Sequence, residues 1–157
     1  MKIEIREVIV LPTLMHWRAE VIENVFGIRP TRALMAANRE YYLRHIADGT
    51  HYAIVAEADG VDAGCGGICL YDELPSPDNP SGRCAYLMNI YVRSEYRGHG
   101  IGRTIVERLI GKAKGLGCDK IYLETTEGAR PLYEKAGFRE LSGFMRYEDI
   151  HSNEMGA

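Results

Sequence analysis

The 157-residue chain has no run of about 18 apolar residues, so no membrane-spanning helix is expected. It has no basic excess either. Nineteen Lys and Arg stand against 22 Asp and Glu, giving a net charge of −3 and a pI near 6.0, which offers little to a nucleic-acid partner. Cysteines are few. Cys65, Cys69, Cys84 and Cys118 form no C-x-x-C pair, and no His or further Cys stands nearby at ligand spacing, so neither a disulfide framework nor a metal site is expected. The first residues, Met1-Lys2-Ile3-Glu4-Ile5, mix charge with apolar side chains, and no small-residue cleavage site follows. No export signal is read there, and a cytoplasmic location is expected. Internal repeats and linker-like stretches are also missing. The expectation is one domain over residues 1–150 with a short, frayed tail at 151–157. Hydrophobic residues make up 46% and charged residues 26%, the balance of an ordinary globular chain long enough to bury its own core.

Periodicity gives the elements. Residues 2–10 alternate like a strand, and 13–26 place Leu14, Trp17, Val21, Ile22 and Val25 on one helical side. A second helix is predicted from a Thr31 cap to Ala47. Residues 51–58 and 61–71 read as strands joined at Asp59-Gly60, a hairpin signal, with Gly64, Gly66 and Gly67 marking a bulged partner. Three prolines make 74–82 a surface loop. A buried strand is predicted at 83–92, a helix at 100–115, a strand at 120–125 and a short helix at 129–136. Two closing strands are predicted at 138–141 and 144–148. The order is β-α-α-β-β-β-α-β-α-β-β, an α/β (mixed-sheet) class. The strand–helix–strand unit at 84–125 should be a right-handed crossover joining parallel strands.

The informative stretch is Arg97-Gly98-His99-Gly100-Ile101-Gly102-Arg103, between a strand and a helix. Glycines at alternate positions let the backbone turn sharply and approach a ligand. The first amides of the following helix face the turn, where the helix dipole favours an anion. The reading is a phosphate or pyrophosphate site. A Walker A loop is excluded, because its second Gly would fall at Arg103 and no Lys follows. A dinucleotide fingerprint fails at the same residue and would need further βα units.

This stretch matches R/Q-x-x-G-x-G/A, the acetyl-CoA loop of the GNAT N-acetyltransferase superfamily, at every fixed position. Asn89-Ile90-Tyr91-Val92 resembles the family's fourth strand, and Ala129-Arg130-Pro131-Leu132-Tyr133-Glu134-Lys135-Ala136-Gly137-Phe138 resembles its A-x-x-L-Y-E-K-x-G-F segment. The resemblance covers residues 84–138 strongly and the element order loosely. It implies a fold whose central parallel strands splay, with the pantetheine arm of acetyl-CoA against Ile90, Tyr91 and Val92. The pyrophosphate would lie on the amides from Gly98 through His99, Gly100 and Ile101 to Gly102, flanked by Arg97 and Arg103. Tyr133 matches the family's general acid. Thr126 stands where the family often has a cofactor-touching Asn.

The implied activity is direct acetyl transfer from acetyl-CoA to a primary amine in a ternary complex, with no metal. The alternative is a non-catalytic acyl-CoA-binding or sensor domain. A general base is less legible. The strand at 84–92 has no carboxylate, Asn89 cannot serve as one, and Glu124, Asp72 and Glu73 are candidates beside a water chain. The acceptor is expected beside the first two helices and the Pro-rich loop, with Trp17, Phe26, Tyr41, Tyr42 and Tyr71 as lining or core. The net charge leans towards a cationic acceptor. Partners are expected to be acetyl-CoA and an amine, with no nucleic acid or membrane, and a homodimer is possible.

Overall fold

The structure is a computed structural model, and it describes residues 1–149. The tail expected at 151–157 lies outside the described residues. The elements run β1 (Ile3–Glu7), α1 (Leu11–Val25), α2 (Arg32–Ala47), β2 (His51–Ala58), β3 (Val61–Asp72), β4 (Arg83–Val92), a 3-10 turn at Ser94–Tyr96, α3 (Ile101–Gly115), β5 (Lys120–Leu123) and α4 (Arg130–Lys135). The five strands form one sheet in chain order. Every pairing is antiparallel except β4 with β5, which is parallel across the α3 crossover.

Local chemistry explains most boundaries. The Thr31 hydroxyl accepts from the Leu34 amide at 3.1 Å and caps α2. Asp59 and Gly60 both take positive φ, as a two-residue primed turn needs, and the Asp59 carboxylate ties the turn to the Lys2 amide at 2.8 Å. Helix α1 starts before the predicted position because Pro12 fits the first helical turn, where its missing N–H costs nothing.

Each face of the sheet has its own core. Tyr52, Ile54, Ile68, Ala85 and Leu87 pack under Ile101, Ile105 and Leu109 of α3. On the other face Ala53, Val55, Cys65 and Tyr91 meet Leu14, Trp17 and Val21 of α1 and Tyr42 of α2. The predicted glycine irregularity is real and has a cause. A Cβ on Gly66 would lie 2.7 Å from Ile105, and one on Gly64 2.7 Å from the Tyr91 carbonyl, so α3 and β4 approach too closely for a side chain.

The β3–β4 ladder slips at this point. Cys65 pairs with Tyr91 and Gly67 with Met88, so β4 carries an extra residue, and Asn89 sits there at φ 58°. Asn tolerates that region better than most side chains. The slip exchanges faces. Ala85 and Leu87 lie on the α3 side, yet beyond the bulge Ile90 and Val92 take that side and Tyr91 turns to Trp17.

The two closing strands predicted at 138–141 and 144–148 are not formed. These residues are irregular, and Leu141, Phe144, Met145 and Tyr147 are exposed. Alternation makes a strand only where a neighbour supplies the other half of the ladder, and β5, four residues long, pairs among the described residues with β4 alone.

Candidate functional site

Register creates the site. Strands β4 and β5 pair from Cys84↔Lys120 to Leu87↔Leu123 and then part. The bulge at Asn89 falls just past the last rung and turns β4 away from its parallel neighbour. Between the diverging ends lies a cleft of about 990 Å³, lined by residues 86–92, the 96–103 loop without His99, and residues 124–126 and 128–129 with Leu132 and Tyr133. Its volume reaches the upper end of the range for ligand pockets, about 300–1,000 Å³.

The loop geometry is that of an anion cradle. Gly98 and Gly100 both adopt φ 82°, and Gly100 caps α3 in the left-handed conformation. A Cβ at either would meet no protein atom within 4 Å, so the space in front of them is open. Among the described residues, no protein acceptor meets the backbone N–H groups of residues 98–103, and the first intrahelical bond is Thr104 to Gly100 at 3.0 Å. Six successive free amides at the start of a 15-residue helix form a concave, positive surface.

Arg97 and Arg103 are placed differently from one another. The Arg97 Nε donates to the Val92 carbonyl at 3.0 Å, which ties the loop to the end of β4 and leaves its other donors free. Arg103 pairs with Glu107 at 2.9 Å on the exposed side of α3. Gly102 faces Leu132 of α4 closely, and a Cβ there would stand 3.3 Å from the Leu132 methyl, so α3 and α4 approach tightly at this point.

Tyr133 lies on the cleft wall, 8% exposed. Its ring packs edge-on against Phe138, and its hydroxyl has no hydrogen-bond partner among the described residues. Burial pushes the phenol above its ordinary value, so it keeps its proton at neutral pH. Thr126 also lines the cleft, but its hydroxyl accepts from the Ala129 amide at 3.3 Å and its carbonyl from Arg130 at 3.1 Å. It therefore also builds the turn into α4.

The candidate bases separate clearly. Glu73 is bound to Lys120 at 3.0 Å, and Asp72 faces Arg83 at the far end of the ladder. Glu124 is the one carboxylate lining the cleft among the described residues. It stands near Tyr86, whose phenol is pushed up to about 12 by burial first and by this carboxylate second.

The aromatic candidates divide as well. Trp17 and Tyr42 are core, Tyr71 of β3 meets Tyr122 of β5 outside the cleft lining, and the exposed Phe26 reaches the cleft rim. The Pro-rich loop lies elsewhere. Ser81 bonds Asp119 and Gly117 beyond α3, and no residue of 74–82 lines the cleft. A second cavity, about 240 Å³, lies between α1, α2 and the sheet and shares Arg18, Met88 and Asn89 with the cleft as lining. Sequence reading missed Arg18 and Asn38 there, because residues from α1, α2 and β4 meet only through the fold.

A divergent parallel pair followed by a free-amide loop defines a cleft for an extended ligand ending in phosphate. The sequence model of the Acetyltransferase (GNAT) family matches residues 12–138, and the chain belongs to that family. Among solved structures, a predicted acetyltransferase from Clostridium acetobutylicum, crystallised with acetyl-CoA, superposes with a TM-score of 0.82 at 23% identity over 94% of this chain and 96% of that one, which shows the common fold. Thialysine N-epsilon-acetyltransferase of Sus scrofa is 33% identical over 47% of this chain and 56% of its own length. Glucosamine 6-phosphate N-acetyltransferase of Trypanosoma brucei brucei is 33% identical over 40% of this chain and 43% of its own. The chain thus spans about half the length of the curated relatives it matches.

Proposed function

We propose that this protein is an acetyl-CoA-dependent N-acetyltransferase that acetylates a primary amine by direct attack in a ternary complex. The observation that carries the reading is the run of unpaired amides at 98–103 standing at the mouth of the β4–β5 divergence. Relatives named for the N-acetylation of thialysine and of glucosamine 6-phosphate support the reaction class.

The amides and Arg97 hold the pyrophosphate of acetyl-CoA. Beyond Leu87 no strand among the described residues covers the β5-facing side of β4, and the pantetheine arm pairs with the backbone at Ile90, Tyr91 and Val92. The thioester then lies near the bulge. Glu124, directly or through water, accepts a proton from the ammonium, whose unperturbed pKa is about 10. The neutral nitrogen attacks the thioester carbon, the C–S bond breaks, the thiolate takes the Tyr133 proton, and the nitrogen gives up its surplus proton through water to restore the Tyr133 phenol as the amide forms. The product amide and CoA leave.

The test is CoA-thiol release over a panel of primary amines, with single-turnover rates for Tyr133→Phe. General acid assistance is typically about 100- to 10,000-fold. A loss in that range with unchanged acetyl-CoA affinity is expected. A rate within about twofold of the parent would make Tyr133 a packing residue. Absence of acetylation across the panel, with CoA still bound, would favour a non-catalytic acyl-CoA-binding protein.

A further inference from the structure

The second cavity has an unusual charge inventory. No Asp or Glu lines it. His51, on its lining, is neutral because burial holds it down to about 4, with the nearby Arg18 charge adding to the effect. The His51 Nδ1 shares a 2.7 Å hydrogen bond with the Tyr41 hydroxyl. Arg18 is thus the single charged side chain on the lining at neutral pH.

Arg18 is held without being neutralised. Its Nε donates to Asn38 Oδ1 at 2.9 Å and its Nη1 to Asn89 Oδ1 at 2.9 Å, both uncharged amide oxygens. The Asn38 Nδ2 is fixed on the Leu34 carbonyl at 2.9 Å, so the carboxamide oxygen is committed to the guanidinium. Two of five N–H donors are used, and three remain. The half-buried arginines Arg6 and Arg93 each meet a carboxylate, Asp62 and Glu20 respectively. Arg18 forms no ion pair with any described residue, although a partly buried cation favours an anionic neighbour.

Position gives the missing anion a meaning. Arg18, Met88 and Asn89 line both cavities, so the smaller one adjoins the cleft at the bulge. We propose that the smaller cavity is the acceptor subsite and that Arg18 selects an amine that also carries a carboxylate or phosphate group. This rests on the transferase reading. The oxyanion sits on Arg18, and the amine end points past Asn89 to the thioester. A cavity of about 240 Å³ suits a compact acceptor head. Polyamines and other polycations are repelled, the opposite of what the net charge of −3 favoured.

The test is calorimetry on the CoA-loaded protein with matched pairs: glucosamine 6-phosphate against glucosamine, L-lysine against cadaverine, and spermidine alone. At least one anionic member should bind tighter than its anion-free partner by about tenfold to a hundredfold, the range for hydrogen bonds to a charged group. Which pair responds distinguishes phosphate from carboxylate. Arg18→Gln should abolish the difference, and Arg18→Lys, which keeps the charge, should retain part of it. No preference in either pair, spermidine binding tightest, or an undiminished preference in Arg18→Gln would each overturn the proposal and leave Arg18 a clamp between α1, α2 and β4. Anion preference without acetylation of any amine would sink the transferase reading and leave the subsite standing.

Discussion

Replacing Gly100 with Ala separates what the loop needs for folding from what it needs for binding. The residue sits at φ 82°, where an L side chain costs about 1–2 kcal/mol. The new Cβ touches no protein atom within 4 Å, so no packing penalty is added. For a chain of this size a loss of 1 kcal/mol lowers Tm by about 2–4 °C, so a drop of about 2–8 °C is expected and the protein stays folded. Affinity should suffer far more, because the methyl projects into the open space where the phosphates must approach the amides. Losing two charge-assisted hydrogen bonds at about 1.5–3 kcal/mol each is at least 3 kcal/mol, or about 100-fold in Kd. Calorimetry with CoA measures this directly. Pantetheine, which lacks the pyrophosphate, should bind parent and variant alike. The exposed helical Gly111 has nothing within 4 Å of its would-be Cβ and no positive φ, so Gly111→Ala serves as a control that leaves CoA affinity unchanged. A folded Gly100→Ala protein with CoA affinity within about threefold of the parent would refute the assignment of the loop.

Two further expectations concern protons. Glu124→Gln should lower single-turnover acetylation by about 100-fold or more, with recovery as pH rises towards the amine pKa and the ammonium loses its proton unaided; an unchanged rate and pH profile would assign the proton to a water chain alone. His51 is buried with a pKa depressed to about 4, so the unfolded chain binds its proton first and stability falls as pH drops from about 6.5 to 4, by about 3 kcal/mol in all. Urea melts at stepped pH should show this slope, and a His51→Asn variant that keeps it would place the acid sensitivity elsewhere.

The elements legible in the sequence were those whose signals are local. The Thr31 cap, the Asp59-Gly60 turn and the alternating glycines of the 98–102 loop each act through the residues beside them. The loop at 96–103 that lines the cleft was legible for the same reason, its residues being adjacent in the chain. The opposite side was not. Arg18, Asn38 and Asn89 carry no motif, and their meeting depends on how α1 and α2 lie across the sheet. The closing strands failed because alternation at 138–148 describes a surface that could pair, and pairing is a property of two segments. Carboxylates look alike in sequence, and only the fold separates Glu73, neutralised by Lys120, from Glu124 in the cleft.

The extra residue in β4 makes the strand behave as two messages written in opposite parity. Up to Leu87 the odd-numbered side chains face α3, and from Ile90 onward the even-numbered ones do. Straightening the strand with its chain length unchanged would do more than remove a kink. It would restore strict alternation and carry Ile90 and Val92 out of one core while driving Tyr91 from Trp17 into the other. The irregularity beside the β4–β5 divergence is therefore also a spacer on which both hydrophobic layers depend. Loss of the bulge at full chain length would be felt as a global error of phase, whereas removal of the one extra residue would take away the bend and leave both layers on their own faces.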